Sequence, residues 1–234
     1  MKPGISVVIP GFNEEKYARN VFSGLRSQTS GNFEIIFVDG GSTDRTRDIA
    51  KRYGKVITER RKGISLARNI GARHAKGDII LFTNADTKAS KNLLGIYMDL
   101  FKDKRVVAAT GPLVPLEKTT PFIRFGYWFA SEILAKIAFS IGKPSISGSN
   151  LAVRKSAFKR CGGFDERLVT YEDLDLVLRL KRYGEIRYAD DAVVATSARR
   201  IAKWGVIRYI FFNATNVAKY NLFHKSYEKY DPVR

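Results

Sequence analysis

Apolar and polar positions change period repeatedly along the chain. Ile5-Ser6-Val7-Val8-Ile9 and Glu34-Ile35-Ile36-Phe37-Val38 are short, apolar, β-branched runs that predict strands. Residues 14–28 between them read as a helix, and another helix is expected to begin near Asp44. Residues 55–58 predict a third strand, 64–75 a helix with one apolar face, 78–82 a fourth strand and 105–110 a fifth. Strands this apolar, separated by helix-length segments, predict an α/β chain with a mostly parallel central sheet and helices on both faces. Right-handed crossovers then bring the loops after the strands to one edge, where such sheets bind ligands. The second half is less regular. Residues 122–141 predict an apolar helix interrupted by Arg124, Glu132 and Lys136. Residues 147–153 predict a strand, 172–183 a helix, 186–188 and 192–196 two further strands, and 201–223 a helical, aromatic tail. No linker, repeat or low-complexity segment divides the chain, so residues 1–234 are expected to form one domain.

Composition narrows the class. At 234 residues, with 44% hydrophobic and 27% charged residues, the chain has enough apolar material for one large α/β core. A single cysteine, Cys161, rules out an intrachain disulfide framework or a thiolate metal cluster, and a reducing cytosol is the expected compartment. No signal peptide is expected, because the first ten residues run straight into a strand. No stretch reaches the ~18 apolar residues of a membrane span. The charge is unusual: 41 Lys and Arg against 23 acids, a formal +18. Such a field attracts nucleic acid, anionic lipid heads or phosphorylated substrates. A solvated basic surface with no polyanion partner is the alternative.

The candidate chemistry stands where the strands end. Pro10-Gly11-Phe12-Asn13-Glu14-Glu15 follows the first strand, Asp39-Gly40-Gly41-Ser42-Thr43-Asp44 the second and Thr83-Asn84-Ala85-Asp86 the fourth. Each puts a polar or acidic side chain at the carboxyl edge. Taken singly, each is ordinary turn and cap chemistry. Three acidic loops on one edge suggest a site.

The same residues carry a resemblance. The segments 9–15 and 38–44 resemble the opening motifs of the family 2 glycosyltransferases. The segment from Gly63 through Arg68-Asn69-Ile70-Gly71-Ala72 to Lys76-Gly77-Asp78 is similar to that family's middle portion, and Asn84-Ala85-Asp86 occupies the place of its Asp-x-Asp metal motif. Gly148-Ser149-Asn150, Gly162-Gly163-Phe164-Asp165-Glu166 and Glu172-Asp173-Leu174-Asp175 resemble its acceptor-side motifs. The matches run in order from about residue 5 to residue 190. The resemblance implies a GT-A-type, Rossmann-like three-layer sandwich. Residues 1–110 would be the nucleotide-binding half, 111–198 the acceptor half and 199–234 a helical tail. It also implies an inverting transfer of one sugar from a UDP- or GDP-linked donor. Asp39 would accept a hydrogen bond from the base, Glu14 would hold the ribose or base region, and Arg68 would lie near the nucleotide. Pro10, Phe12, Asn13, Gly41, Gly63, Asn84 and Ala85 would line the donor, and Asp86 would bind Mg²⁺ or Mn²⁺ on the diphosphate. Gly148, Ser149, Asn150 and Glu172 would face the sugars, and Asp173 would be the general base.

These residue types suit that chemistry. A hard cation on carboxylate oxygen neutralises a departing diphosphate, and a carboxylate within reach of the acceptor hydroxyl takes its proton. Crowding among Glu172, Asp173 and Asp175 is expected to raise carboxyl pKa values. Acids favoured by a helix dipole are the plainer reading. The pattern also departs from the family. Gly40 replaces a second Asp, Asn84 removes an acid from the metal motif, and Val194-Ala195-Thr196-Ser197 lacks the metal-binding His that some relatives carry. His74 and His224 are expected at the surface. Gln-x-x-Arg-Trp, the mark of processive synthases, is missing, which favours single-sugar transfer.

Phe122, Phe125, Tyr127, Trp128 and Phe129 crowd the mid-chain helix, and Trp204, Tyr209, Phe211, Phe212, Tyr220 and Phe223 recur in the tail among Lys203, Arg208, Lys219 and Lys225. They mark either peripheral contact with the inner face of a membrane and a lipid-linked acceptor, or packing on the sheet or a partner. Arg199, Arg200 and Lys203 suit the diphosphate or a phosphate on the acceptor, or a solvated basic turn, equally. The rival classes are a basic nucleic-acid-binding protein, a nucleotidyltransferase and a degenerate nucleotide-sugar-binding protein. No nucleic-acid module supports the first, so no specific nucleic acid is expected.

Overall fold

A computed structural model describes residues 2–140, 142, 144, 146–206, 208–209, 211–212, 215 and 219. Seven strands form the central sheet: β1 (Ile5–Gly11), β2 (Phe33–Asp39), β3 (Lys55–Thr58), β4 (Ile79–Phe82), β6 (Val106–Thr110), β8 (Leu151–Arg154) and β9 (Glu185–Tyr188), in the order β3-β2-β1-β4-β8-β6-β9. β1 is central because both of its faces are apolar, and Ile5, Val7, Val8 and Ile9 are wholly buried. β3 stands at the edge with Lys55 and Thr58 exposed. β1 to β4, β6 and β9 run parallel, whereas β8 is antiparallel to both β4 and β6. The expectation of a mostly parallel sheet therefore holds, with one reversal that matters. Leu151, the first residue of β8, pairs with Phe82 and Thr110, the last residues of β4 and β6. The turn before β8 is thereby delivered to the same edge as the loops after the parallel strands.

Helices cover both faces. Helices α1 (Glu15–Arg26), α2 (Thr46–Lys51) and α4 (Leu93–Leu100) pack against one face through Phe22, Leu25, Ile49, Leu93 and Tyr97. Helices α3 (Ile64–His74), α7 (Lys155–Arg160) and α8 (Glu172–Leu180) cover the other through Leu66, Ile70, Phe158, Leu176 and Val177. In α1 the buried residues Ala18, Val21, Phe22 and Leu25 recur at the spacing of one helical stripe. Gly71 lets α3 lie flat on the sheet: a Cβ there would stand 2.3 Å from Val8 Cγ1.

Beyond the sheet edge lies a second, three-stranded sheet of β5 (Thr87–Ala89), β10 (Val194–Thr196) and β7 (Leu113–Pro115), in the order β5-β10-β7. The expected 122–141 helix is α5 (Pro121–Trp128) and α6 (Ala135–Ser140), joined by a π-helical turn over Phe129–Leu134. Residues 147–150 form a turn rather than the start of a strand, because β8 begins only at Leu151. The tail begins as α9 (Arg199–Trp204), which stops at Gly205 with φ +80. Tyr220, Phe223, His224 and Lys225 lie outside the described residues. His74 is exposed, as expected.

Candidate active site

The loops after β1 and β2 are clamped together. Asn13, held at φ 53, donates its backbone N–H to Ser42 Oγ at 3.0 Å and accepts Thr43 N–H on Oδ1 at 2.9 Å. Glu14 N–H donates to Thr46 Oγ1 at 2.7 Å, and Glu15 N–H to Asp44 Oδ2 at 3.1 Å. Asp39 is wholly buried, and its carboxylate accepts the N–H groups of Gly41 and Ser42 at 3.2 Å. It shapes the turn as Asx residues do. Gly40 has a packing reason: a Cβ there would stand 3.1 Å from Phe12 Cβ. Pro10 and Phe12 are half-buried beside this clamp, and Gly63, at φ 140, starts α3.

Asp86 meets a partner from far along the chain. Arg199, the first residue of α9, donates two hydrogen bonds to the Glu14 carboxylate at 2.9 and 2.6 Å and one to Asp86 Oδ2 at 3.0 Å. Its guanidinium lies 4.8 Å from the Tyr17 ring centroid. The start of α9 is pinned there, since Ser197 N–H donates to the Asp86 carbonyl and Glu117 accepts from Ser197 Oγ and Ala198 N–H. Burial pushes the Asp86 carboxyl up to about 6; the Arg199 charge opposes the rise and Glu14 adds to it.

A buried arginine links the remaining loops. Arg68 is 2% exposed and donates to Glu172 Oε1 at 2.7 Å and to Asn84 Oδ1 at 3.1 Å. The Asn84 amide in turn donates to Ser149 Oγ at 2.8 Å. Gly148 lies against the guanidinium, where a Cβ would come within 2.3 Å of Nη2. Gly148 N–H donates to Asp173 Oδ2 at 2.7 Å, and Leu174 N–H donates to Asp173 Oδ1 at 2.8 Å. Tyr171, just before α8, holds φ 63, a conformation that a bulky residue adopts only under constraint. Burial and the Asp173 charge raise the Glu172 carboxyl, against the pull of Arg68. Asp175 is engaged by Arg179 four residues on.

The carboxylates of Asp86 and Glu14 converge on a single cation, Arg199. Oxygen donors of this kind suit Mg²⁺ or Mn²⁺, which bind through one or two carboxylates and complete their shell with phosphate and water. Among the described residues no three His, Cys, Asp or Glu side chains gather around one point. The set therefore fits an ion shared with a phosphate ligand, not an all-protein cage.

The sequence profile of glycosyl transferase family 2 matches residues 6–162. The chain belongs to this family. It is 29% identical over 233 residues to the O-antigen chain rhamnosyltransferase WbaN of Salmonella anatum, covering 92% of this chain and 73% of WbaN. It is 27% identical over 201 residues to the beta-monoglucosyldiacylglycerol synthase of Nostoc sp., covering 76% of this chain and 41% of that protein. The mannosyltransferase PcManGT of Pyrobaculum calidifontis, solved with GDP-Man and Mn²⁺, matches with a TM-score of 0.69 at 21% identity, over 97% of this chain and 66% of that one. S. aureus TarS 1-349, solved with UDP-GlcNAc, matches with a TM-score of 0.67 at 21% identity, over 94% of this chain and 67% of that one. These likenesses show the GT-A fold. The chain spans about two thirds of both solved chains and less than half of the Nostoc protein.

In this family 2 chain the named motifs divide by burial. Glu14, Asp86, Gly148 and Asp173 are bound into the loops of the carboxyl edge. Ser149 is nearly buried, and Ala85 lies under the loop at 3% exposure. Asn150 is wholly buried, accepting from Tyr97 Oη at 2.6 Å and donating to the Ala192 carbonyl at 2.7 Å. It anchors β8 from within the core and meets no solvent. Arg68 and Glu172 likewise act from beneath the edge: Glu172 is buried against the guanidinium and, contrary to expectation, does not face the sugars. Glu117 and Tyr17 carried no sequence signal, because a lone Glu in a Pro-containing loop and a Tyr on a helix match no motif.

Beside Asp86 runs a groove of about 960 Å³ lined by Pro112, Val114, Glu117, Arg124, Tyr127 and Trp128 among others. Burial, with Tyr209, Glu117 and Asp86 nearby, holds the Tyr127 hydroxyl above its usual range. Helix α5 buries no residue: Phe122, Phe125 and Trp128 are 64%, 57% and 50% exposed. These three rings stand largely in solvent, although α5 lies beside β7 of the second sheet and Tyr127 is half-buried. No helix among the described residues is long and apolar enough to cross a membrane.

Proposed function

We propose that this chain moves a single sugar from a nucleotide diphosphate sugar, UDP- or GDP-linked, to a hydroxyl or phosphate of a lipid-linked acceptor, with inversion. One observation carries the reading: the Asn84–Arg68–Glu172 network holds the donor-side loop of Asp86 and the α8 start bearing Asp173 as one unit. Residues 1–110 form the nucleotide-binding half, 111–198 the acceptor half and 199–234 the tail of a single transferase domain. Asp39, wholly buried, serves the base through the turn it holds, its carboxylate taking the Gly41 and Ser42 amides. Asp173 has two lone pairs occupied by amides, which orient it, and two left for the acceptor. It takes the hydroxyl proton as that oxygen attacks the anomeric carbon opposite the leaving diphosphate. A Mg²⁺ or Mn²⁺ ion on Asp86 would neutralise that leaving group.

The acceptor side supports a lipid. Exposed aromatic residues on α5 border the groove beside Asp86, and a formal charge of +18 attracts anionic headgroups. The Nostoc relative is named for a diacylglycerol product. The chain would then work as a peripheral protein at the cytoplasmic face of a membrane, with its basic charge serving lipid rather than specific nucleic acid.

The test is thermal stabilisation by UDP, GDP, CDP and dTDP with Mn²⁺, Mg²⁺ or chelator, followed by turnover of Asp173→Asn. A rise for one nucleotide, with binding kept and transfer lost in the variant, is expected. Near-normal turnover by the variant would remove Asp173 as the base, and binding without turnover by the wild type would leave a nucleotide-sugar-binding protein.

A further inference from the structure

Arg199 hydrogen-bonds both Glu14 and Asp86, and its reach across 185 and 113 positions of sequence is built, not incidental. The Ser197–Asp86 backbone bond and the Glu117 contacts hold the start of α9 in place, and Tyr17 supports the guanidinium from the side. The Glu14 and Asp86 side chains are 13% and 17% exposed, so two facing carboxylates without a cation would be strongly unfavourable. The Arg199 guanidinium satisfies them. It also uses the oxygens that a hard divalent ion would need, so the two cations compete for one place.

Charge decides between the two cations. With Arg199 between them, the two carboxylates leave a net negative point, which repels a diphosphate. A divalent ion on the carboxylates reverses the sign and frees the guanidinium, whose planar fork matches phosphate oxygens. Arg199 is 20% exposed, so its tip borders solvent and can turn without unpacking the core. Resting on the donor reading above, we infer that Arg199 is an internal counter-cation: it holds the Glu14–Asp86 pair until a divalent ion takes it, and then turns onto the donor diphosphate.

This makes two predictions of opposite sign for Arg199→Ala. Mn²⁺ binding without nucleotide, read from the loss of the free-ion electron paramagnetic resonance signal, should tighten by about tenfold or more, because a competing charge about 3 Å away is gone. Binding of UDP or GDP in saturating Mn²⁺, read by calorimetry, should weaken by about tenfold or more, because a charge-assisted phosphate contact is gone. Arg199→Lys keeps a point charge without the fork, so it should hold Mn²⁺ affinity near the wild-type value while weakening nucleotide binding. It also serves if the alanine variant does not fold. Unchanged or weaker Mn²⁺ binding in Arg199→Ala overturns the inference, because a structural strut would weaken both ligands together. Failure of the wild type to bind any nucleoside diphosphate overturns the transferase reading instead, and the Mn²⁺ measurement still decides whether Arg199 competes with the ion.

Discussion

Replacing Arg68 by Met should be among the most damaging single changes outside the reacting groups, and its effect should depend on pH. Arg68 is 2% and Glu172 10% exposed at the side chain, with the charges 2.7 Å apart. Met preserves most of the length and apolar contact of the stem, so the loss is mainly electrostatic. Removing one partner of such a pair costs about 3–5 kcal/mol, because the other charge stays buried and alone. For a chain of this size that is a fall of roughly 10 °C in Tm. Asn84 also loses the donor to its Oδ1, which loosens the loop of Asp86.

The pH dependence comes from Glu172. Its carboxyl is raised in the folded chain by burial first and by Asp173 second, while Arg68 pulls it down. A carboxyl with a native pKa above its unfolded value binds a proton on folding, so stability falls as pH rises through the window between the two. Deleting Arg68 moves the native value further up and widens that window at its upper end. The deficit of Arg68→Met should therefore be larger at pH 8 than at pH 5, where a protonated Glu172 no longer needs a counter-ion. Arg68→Met combined with Glu172→Gln should recover most of the loss, since removing both charges leaves nothing unpaired. Calorimetric melting of the three proteins at both pH values is the assay. A deficit below about 1 kcal/mol, or one equal at pH 5 and pH 8, would refute the claim that this ion pair ties the two halves of the site.

Two further outcomes are expected. Asn84→Asp restores the acid that the metal motif lacks, yet its carboxylate would face Arg68 rather than Asp86, so Mn²⁺ affinity should rise by less than about threefold in a titration. Phe125→Glu with Trp128→Glu should abolish flotation with anionic vesicles at low salt while leaving Tm within about 2 °C, because neither ring is buried; equal flotation of variant and wild type would remove α5 as the contact.

Much of the sheet was legible because burial on both faces leaves a continuous apolar run, and the runs at 5–9, 34–38 and 78–82 have that form. Strand direction was not. The run Leu151-Ala152-Val153 reads alike in either sense, and its reversal is set only by pairing with β4 and β6. β5 and β7 escaped notice because three residues are too few to show a period of two, and both depend on the distant β10 for partners. Helix α4, Leu93-Leu94-Gly95-Ile96-Tyr97-Met98-Asp99-Leu100, is so apolar that it shows little stripe and carries no side-chain cap. The exposure of α5 was equally hidden, since an aromatic stripe has the same spacing whether sheet, solvent or lipid meets it.

The site divides along the same line. Asn13, Ser42, Asp44 and Thr46 announce turns because their bonds are local in type, even where they join two loops. What distinguishes a site from three well-made turns is the set of long-range contacts: Arg68 to Glu172 across 104 positions, Gly148 to Asp173 across 25, and Arg199 to Glu14 across 185. No periodicity or cap preference encodes those pairings; only the order of strands does. The antiparallel β8 turns the Gly148 loop back to the carboxyl edge, and β10 delivers Arg199 to Asp86 through the register that sets Thr196 beside Thr87. The chemistry therefore depends on the two strands whose placement the local pattern leaves undetermined, and a change that shifts either register by one residue would separate the charges without touching a motif residue.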